Sequence, residues 1–360
     1  MGKFTFAALA VVCTGLFSQT IESGTSVDGL IEAGHWKRAR QIVAARLSAN
    51  ASDAQAHAWM SKIKEGFGDF NGSIAEAERA TALDSRNAAY HAQLAEACAM
   101  TADTARIMKS LSLVRCTNRE ADATLALDPK NVDVRLVQMM FAWKAPSIAG
   151  GDKKKAVRIA DDIVKISPSW GNLAHARLLQ EQDADAETER VLQNAVKADP
   201  AFYRSRIAMA KFYCCTARHK KPEMAERTAR EAIALDPAAE GAYNILARVY
   251  ATSQRWNDLE QVLGRAAKEC PEDAGPYYAA ADSLVEIGQD FRRAERYLTH
   301  YLTQVPEGRQ PTHAEARWLL AKLYEKEGRK SDAVRELMAA VQLQPDFEAA
   351  KRDLKRLRQS

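Results

Sequence analysis

Apolar residues recur along most of this chain at intervals of three and four, the spacing that places them on one face of an α-helix. The pattern is sharpest in Glu240–Pro271, where it breaks around Gln254-Arg255 into two halves. The stretch Ala314–Pro345 breaks in the same way around Gly328-Arg329. Sustained period-two alternation bounded by turns, the mark of a strand, is not found. The sequence therefore predicts an all-α chain built from helix–turn–helix units.

The two stretches carry the same residue types at matching offsets. The first has Ala247, Tyr250, Ala266 and Pro271, and the second has Ala321, Tyr324, Ala340 and Pro345. This pattern resembles the tetratricopeptide repeat, a helix–turn–helix unit of about 34 residues with small residues where its helices touch. The resemblance covers nearly everything after the N-terminal leader. It implies an α-solenoid with a right-handed superhelical path, and a non-catalytic scaffold that binds a protein or peptide in its concave groove.

The first twenty residues differ from the rest of the chain. One lysine precedes an apolar run, Phe4–Phe17, and small and polar residues follow it, which is the order of a secretory signal peptide over residues 1–20. The run is shorter than the roughly 20 apolar residues that a membrane span needs, so cleavage is favoured over a stable membrane anchor. A lipoprotein is the weaker option, because Val12 stands before Cys13 where a lipobox has a small residue. We expect a periplasmic or secreted protein.

The remaining chain is predicted to form one repeat array and a cap. Residues 27–345 should hold about eight to nine units, and residues 346–360 an amphipathic helix that covers the last apolar face. Extra residues in Thr101–Ser110 are expected either to lengthen a helix or to form a protruding loop. Gly150-Gly151 before three lysines indicates a turn, with Asp152 capping the next helix, because the strand and the Lys-Ser or Lys-Thr of a phosphate loop are missing.

Composition and motifs give little sign of chemistry. The chain has 51 Lys and Arg against 47 Asp and Glu, and a net charge of +4 over 360 residues argues against wholesale binding to nucleic acid or anionic lipid. The seven histidines are scattered, and Cys214-Cys215 with His219 matches no common zinc spacing. We therefore predict no catalytic residue, no cofactor and no metal, and a protein that is not an enzyme.

Five cysteines follow the leader, and they cannot all pair within one chain. Cys98 and Cys116 lie in the two helices of one unit and could form a disulfide, whereas the neighbours Cys214 and Cys215 rarely close on each other. Cys270 has no obvious partner. Small buried packing residues are the alternative interpretation for most of them.

The concave groove is the predicted binding surface, because the first helices of successive units align along it. Placing these helices in one frame brings basic residues and apolar anchors to the groove-facing offsets: Arg177, Arg204, Lys211 and Arg248 with Trp170, Ile207, Tyr278 and Trp318. The hypothesis is an acidic, partly apolar segment of a partner protein lying across the units between Ser169 and Pro271.

Two alternatives to this surface stay open. The charges could form an ordinary solvated face. The chain could also be a small-molecule- or glycan-binding component, or an accessory subunit of an envelope enzyme or transport machine. The sequence leaves the oligomeric state and the identity of any partner undetermined.

Overall fold

Nineteen α-helices follow one another in the part of the chain that the computed structural model describes, and that part contains no strand. It comprises residues 26–104, 107–145, 147, 150–216, 218, 220–238 and 240–359. The prediction of an all-α solenoid is therefore confirmed. The predicted signal peptide, residues 1–20, lies outside the described residues.

The first eighteen helices pair into nine antiparallel hairpins, and the nineteenth ends the stack. The hairpins, numbered one to nine along the chain, are α1 (Val27–Ala33) with α2 (Trp36–Ala49), α3 (Ala54–Gly66) with α4 (Phe70–Leu83), α5 (Ala88–Thr104) with α6 (Ile107–Leu127), α7 (Val132–Lys144) with α8 (Lys153–Ile166), α9 (Pro168–Gln180) with α10 (Asp185–Ala198), α11 (Tyr203–Lys211) with α12 (Pro222–Leu235), α13 (Gly241–Thr252) with α14 (Trp256–Glu269), α15 (Gly275–Ile287) with α16 (Phe291–Tyr301), and α17 (His313–Lys326) with α18 (Lys330–Leu343). Helix α19 is Glu348–Gln359.

Local sequence explains where many helices begin. The side chains of Asp53, Asp69, Asn131 and Asp152 each accept a hydrogen bond from a backbone N–H in the first turn of the following helix. This contact satisfies an amide that the helix itself leaves unpaired. Pro222 stands in the first turn of α12, where its missing N–H costs nothing. The predicted cap at Asp152 is therefore confirmed.

The turn inside several hairpins needs a left-handed backbone. Gly68, Gly288 and Gly328 take φ values of 77°, 69° and 76° in these turns. The corresponding turn of hairpin seven places Gln254 at φ 55°. Glycine adopts this conformation without a steric penalty, whereas a residue with a Cβ does not.

Small residues are buried where the helices pack against each other. Ala247, Ala266, Ala321, Ala333 and Ala340 are each exposed by 2% or less. All five lie in one core cluster, as expected of positions where helices cross closely. The last apolar face packs against α19, whose Ala350 and Leu357 are buried in the same core.

The extra residues of hairpin three lengthen its two helices. Helix α5 has 17 residues and α6 has 21, whereas most of the other helices have 12 to 14. Of the extra residues in Thr101–Ser110, those up to Thr104 lie in α5 and those from Ile107 lie in α6, which fits the expectation of a longer helix; the two between them lie outside the described residues. A disulfide between Cys98 and Cys116 joins α5 to α6.

The second cysteine pair departs from the expectation. The structure places the sulfur atoms of the neighbouring residues Cys214 and Cys215 in contact, although neighbours rarely form a disulfide. These residues lie in a π-helical turn, Phe212–Thr216, where the backbone widens as the chain leaves α11. The side chains there do not follow α-helical directions. Cys270 is a buried thiol whose sulfur donates a hydrogen bond to the carbonyl oxygen of Ala238 at 3.0 Å.

A three-residue contact ties consecutive hairpins together, and we call it the Tyr–Glu–Arg clasp. The hydroxyl of Tyr250 on α13 donates to Oε1 of Glu226 on α12 at 2.9 Å. Arg255 pairs with Glu226 and places its guanidinium carbon 4.7 Å from the centre of the Tyr250 ring. Tyr324, Glu295 and Arg329 form the same clasp. A variant with lysine consists of Tyr213, Glu189 and Lys221.

The superhelix closes on itself at its N-terminal end. The amide of Glu240, before α13, donates to the carbonyl oxygen of Ala33 at 3.3 Å. The guanidinium of Arg38 and the ammonium of Lys37 pair with Glu272 and Glu307, which precede α15 and α17. We call this contact the seam: it joins residues 33–38 of hairpin one to the connections that lead into hairpins seven, eight and nine.

Candidate functional site

The predicted groove residues of hairpins five and six remain open to solvent. Arg177, Arg204 and Lys211 are exposed, on α9 and α11. Lys211 forms no ion pair with a described residue, and Arg177 lies 3.7 Å from the carboxylate of Glu181, the residue that follows its helix. This part of the groove thus carries positive charge that the surrounding chain does little to neutralise.

Aromatic rings lie directly beside these charges. The guanidinium carbon of Arg204 lies 5.4 Å from the centre of the Trp170 ring, which meets the ring of Phe202 edge-on at 5.2 Å. Ile207, one turn after Arg204 on α11, is partly buried. The structure therefore brings Trp170 and Arg204 together, and Ile207 and Lys211 follow Arg204 at intervals of three and four residues on α11.

Arg248, the remaining predicted basic residue, is already paired. Its Nη2 donates to Oδ2 of Asp282 at 2.9 Å, and both side chains are partly exposed. Asp282 occupies on α15 the offset that Arg248 occupies on α13. The positive charge of the groove is therefore balanced at hairpin seven.

The two other predicted anchors contact the C-terminal part of the stack. The ring of Tyr278 lies 5.2 Å from that of Tyr301, and burial raises the pKa of its hydroxyl. Nε1 of Trp318 donates to Oδ2 of Asp353 on α19 at 2.8 Å, and its ring meets Phe347 edge-on. Both side chains thus lie two or more hairpins away from Trp170 and have partners within the chain.

The helical frame that selects Arg177 and Lys211 places an acidic residue, Glu96, at the corresponding offset of hairpin three. Burial raises the pKa of Glu96 on α5, and the positive charges of Lys62, Arg309 and Arg204 oppose that rise. Arg204 lies on α11, three hairpins further along the chain. The charge of Arg204 therefore acts on Glu96 even though their hairpins are not consecutive.

A second acid lies close to Glu96. Burial, followed by the negative charge of Glu96, raises the pKa of Glu65 on α3 to about 7. Oε1 of Glu65 accepts a hydrogen bond from Nη2 of Arg309 at 2.6 Å. Arg309 belongs to the connection from Leu302 to Thr312, which is longer than the turns between other hairpins. That length was the one sequence signal for this contact.

The described residues offer little support for a metal site or a membrane-spanning helix. Among them, no group of three or more His, Cys, Asp and Glu side chains has the arrangement of a metal site. The third member of the weighed Cys214-Cys215-His219 cluster, His219, lies outside the described residues. No described helix combines the length and apolar character that crossing a bilayer requires.

An outer pocket of about 420 Å³ lies between α14, α15 and α16. Glu260, Tyr277, Arg296, Tyr297 and His300 line it. Oε1 of Glu260 accepts hydrogen bonds from Arg296 at 3.0 Å and from the Tyr297 hydroxyl at 2.9 Å. The polar groups of this pocket are therefore largely occupied by each other, which leaves few groups to fix a ligand.

Comparison with known proteins identifies the architecture. No protein-family model and no curated protein matches this chain. Among solved structures, the yeast protein Tom70 is similar, with a TM-score of 0.51 and 14% identity, over 92% of this chain and 79% of Tom70. A thermophilic TPR protein of Thermus thermophilus aligns with a TM-score of 0.45 and 15% identity, over 52% of this chain and 94% of that one.

A further similar structure is a tetratricopeptide repeat protein from Parabacteroides merdae, with a TM-score of 0.43 and 14% identity, over 84% of this chain and 98% of that one. At these identities the likeness concerns the fold alone, and the alignment with Tom70 agrees with the nine stacked hairpins and their buried alanines. The chain therefore has the α-solenoid fold that tetratricopeptide repeat proteins share.

Proposed function

We propose that this protein is a non-catalytic scaffold that binds an acidic, partly apolar protein segment in its concave groove, across the hairpins between Ser169 and Pro271. The observation that carries the proposal is the contact of Arg204 with Trp170, with Ile207 and Lys211 on the next turns of α11 and Lys211 in no ion pair with a described residue. Aromatic residues and arginines contribute most of the binding energy in many interfaces.

Charge by itself would not bind such a segment tightly. Exposed ion pairs contribute about 0.2–1 kcal/mol each, so three of them supply at most about 3 kcal/mol. That free energy corresponds to a dissociation constant weaker than millimolar. Useful affinity therefore depends on burying Trp170 and Ile207 under an apolar part of the partner.

The test measures binding of a fluorescent peptide that alternates Glu with Leu and Phe, by anisotropy at low and high salt. Reversing charge with Arg177→Glu, Lys211→Glu and Arg248→Glu together should weaken binding and flatten its salt dependence. Trp170→Ala should weaken binding by about 2 kcal/mol, roughly thirtyfold. Lys330→Glu, an exposed position on α18 without an ion pair, is the control for the change of charge. Affinity and salt dependence that stay at wild-type values in the triple variant would leave the basic groove a solvated surface.

We infer in addition that the scaffold acts in the periplasm or outside the cell. The order of residues 1–20 supports export. A disulfide such as Cys98–Cys116 also suits an oxidising compartment. A reporter fused after Thr20 should be exported, and a reporter that stays in the cytoplasm contradicts the inference.

The second candidate function is small-molecule binding at the outer pocket between α14 and α16. Its volume of about 420 Å³ falls within the range of ligand sites. A metabolite or glycan that binds there at a hundred times its dissociation constant should stabilise the fold by about 2.7 kcal/mol. Melting curves against such libraries distinguish this function from the scaffold.

A further inference from the structure

The seam holds one lysine in a cage of oxygen atoms. The ammonium of Lys37 donates to the carbonyl oxygens of Val305, at 2.8 Å, and Glu272. It also lies 3.2 Å from Oε2 of Glu307, whose Oε1 accepts from the backbone N–H of Lys37 at 2.6 Å. Through these contacts the first hairpin is joined to the connections before α15 and α17, which lie more than 200 residues later in the chain. The hairpin is thus anchored in a defined position.

A second set of contacts surrounds this lysine. Arg38 forms a two-pronged pair with Glu272, at 2.7 Å and 2.8 Å, and Nδ1 of His35 lies 2.9 Å from the same carboxylate. Gly34 lies so close to Glu240 that a Cβ would meet its Cδ at 2.9 Å, and its φ of 97° also favours glycine. The local sequence of the turn therefore fits this approach.

Charge at the seam is not balanced. Four carboxyl groups, those of Glu240, Glu272, Asp273 and Glu307, meet two permanent cations, Lys37 and Arg38. If all four were ionised, two negative charges would remain in excess over these two cations. Glu240, Asp273 and Glu307 are exposed by only 7%, 3% and 2%, so water does little to screen that excess.

The hydrogen bonds do not compensate for the excess. Nε2 of Gln310 donates to Oδ1 of Asp273 at 2.5 Å and to Oε2 of Glu240 at 3.4 Å. The other oxygens, Oδ2 of Asp273 and Oε1 of Glu240, have no hydrogen-bond partner among the described residues. A buried carboxyl without partners is less costly when it carries a proton.

We propose that the seam is a proton-dependent latch that closes the superhelix at mildly acidic pH and releases hairpin one as the pH rises. Closing draws three buried carboxyl groups together, and the protons that they hold make this possible. Ionising them at higher pH leaves like charges facing each other in a site that water barely reaches. The contacts of Lys37 and Arg38 then no longer offset the repulsion.

The direction follows from the linkage between protonation and closing. Burial, and then the charges of Asp273, Glu307 and Glu272, raise the pKa of Glu240 to about 11. A carboxyl with a raised pKa stabilises the closed form fully below its ordinary pKa near 4.5, and that contribution is lost progressively as the pH rises towards the raised value. Burial likewise raises the pKa of Asp273 and of Glu307.

Glu272 determines how far the pH can fall before the seam loosens. Burial pushes its pKa up, but the hydrogen bond from His35 and the charge of Arg38 outweigh this and lower the pKa to about 2. Its contribution is present above the ordinary value of 4.5 and is lost as the pH falls towards 2. The seam should therefore be tightest near pH 5.

Other titratable groups face the seam from neighbouring elements. Burial raises the pKa of the Cys270 thiol and of the Tyr203 and Tyr301 hydroxyls, so all three keep their protons between pH 5 and 8. Arg309 pairs with Glu65 on α3, and the pKa of Glu65 is raised to about 7 by burial first. Deprotonation of Glu65 strengthens its pair with Arg309, so it opposes opening and does not cause it.

The closed seam also bears on the groove. Hairpin one and the Arg309 connection close the side of the superhelical turn at which Glu65 and Glu96 lie. Release of the hairpin would widen that turn and open the groove laterally. The latch stands independently of the proposed function, because its test uses the full chain without a partner.

The test measures hydrogen exchange of seam amides between pH 5 and 8, corrected for the intrinsic pH dependence of exchange. The reporters are the amides of Lys37 and Glu240, which donate across the seam. Each proton that the closed form holds in excess changes the closing equilibrium about tenfold per pH unit. Protection should therefore fall at least about tenfold per unit, since up to three carboxyl groups can hold such a proton, while amides inside α17 keep theirs. Small-angle scattering should show a larger radius of gyration at pH 8.

The decisive variant is Glu240→Gln, which keeps the shape and removes the charge. It should hold the seam closed at pH 8 and reduce the pH slope. Glu286→Gln, at an exposed position without an ion pair, is the matched control and should behave as the wild type. A wild-type seam whose amides are equally protected at pH 5 and 8, or unprotected at both, overturns the proposal. So does a full wild-type slope in Glu240→Gln, since the proton would then reside on another group.

Discussion

Removal of one hydroxyl from the Tyr–Glu–Arg clasp should weaken a single hairpin interface. The Tyr250→Phe substitution keeps the buried ring, which is 1% exposed, and deletes the donor to Oε1 of Glu226 at 2.9 Å. It also deletes the acceptor for Nη2 of Arg230 at 2.8 Å. The hydroxyl joins α13 to α12, so the loss falls between hairpins six and seven.

The magnitude follows from the partners that remain. A hydrogen bond to a charged group contributes about 1.5–3 kcal/mol. Glu226 keeps its pairs with Arg255 and Arg230, and its side chain is 17% exposed, so water replaces part of the loss. We therefore expect a decrease of about 1–2 kcal/mol in the free energy of opening at this interface. Tyr277→Phe is the control, since the Tyr277 hydroxyl donates to no described residue, and it should change this free energy by less than about 0.5 kcal/mol.

Native-state hydrogen exchange is the suitable assay. The stability of a repeat array is approximately a sum of repeat terms and nearest-neighbour interface terms, so unfolding of the whole chain would blur a local change. Amides of α12, α13 and α14 should lose protection in Tyr250→Phe, and amides of α3 and α4 should not.

The same comparison should depend on pH. Burial pushes the pKa of Glu226 up, but hydrogen bonds from Arg255, Tyr250 and Arg230 lower it below 4.5. Stability from the ionised carboxylate is present above 4.5 and is lost as the pH falls through the lowered pKa. The difference between Tyr250→Phe and the wild type should therefore be full at pH 7 and shrink below pH 4.5. Equal protection of α12–α14 in both proteins at pH 7 would refute the clasp as an interface contact.

Two further substitutions test the helix crossings and the turns. Ala321→Leu should overfill a site that is 2% exposed and lower the free energy of unfolding by about 1–3 kcal/mol in urea titrations. The control Ala267→Leu, at an exposed position, should have little effect. An unchanged urea midpoint for Ala321→Leu contradicts the proposed register. Gln254→Gly should raise the free energy of unfolding by up to about 1 kcal/mol, because glycine adopts the left-handed φ of 55° without strain. The control Ser253→Gly, at a φ of −85°, should lower the free energy of unfolding. A lower melting temperature for Gln254→Gly would show that the backbone at Gln254 is not strained.

The sequence alone was sufficient for the features that local physics controls. Helical periodicity depends on neighbours three and four positions apart, so it is readable without the fold. Alanines such as Ala247 and Ala321 mark crossings because only small side chains let helices approach closely, and a proline in the first turn, as at Pro222, marks a helix start. The relevant partners all lie within one or two hairpins of each other.

The groove was only partly predictable, since its charges depend on neighbours in the next hairpin. The frame of the first helices indicated which residues share a face, and Arg204 and Trp170 do lie together. It did not indicate that Arg248 pairs with Asp282 or that Trp318 donates to Asp353 of α19. Side-chain pairing is decided by rotamers and distances between helices, and spacing in the sequence carries neither.

The seam was decided by the tertiary structure alone. Whether Lys37 reaches Glu307 depends on the small rotation between successive hairpins, which accumulates until the chain has completed a turn. No local pattern encodes that sum, so residues more than 200 positions apart gave no sign of their contact. The sequence by itself thus determined the repeat and its helices. The pitch of the superhelix decided which charges are buried together, because only the completed turn excludes water from them.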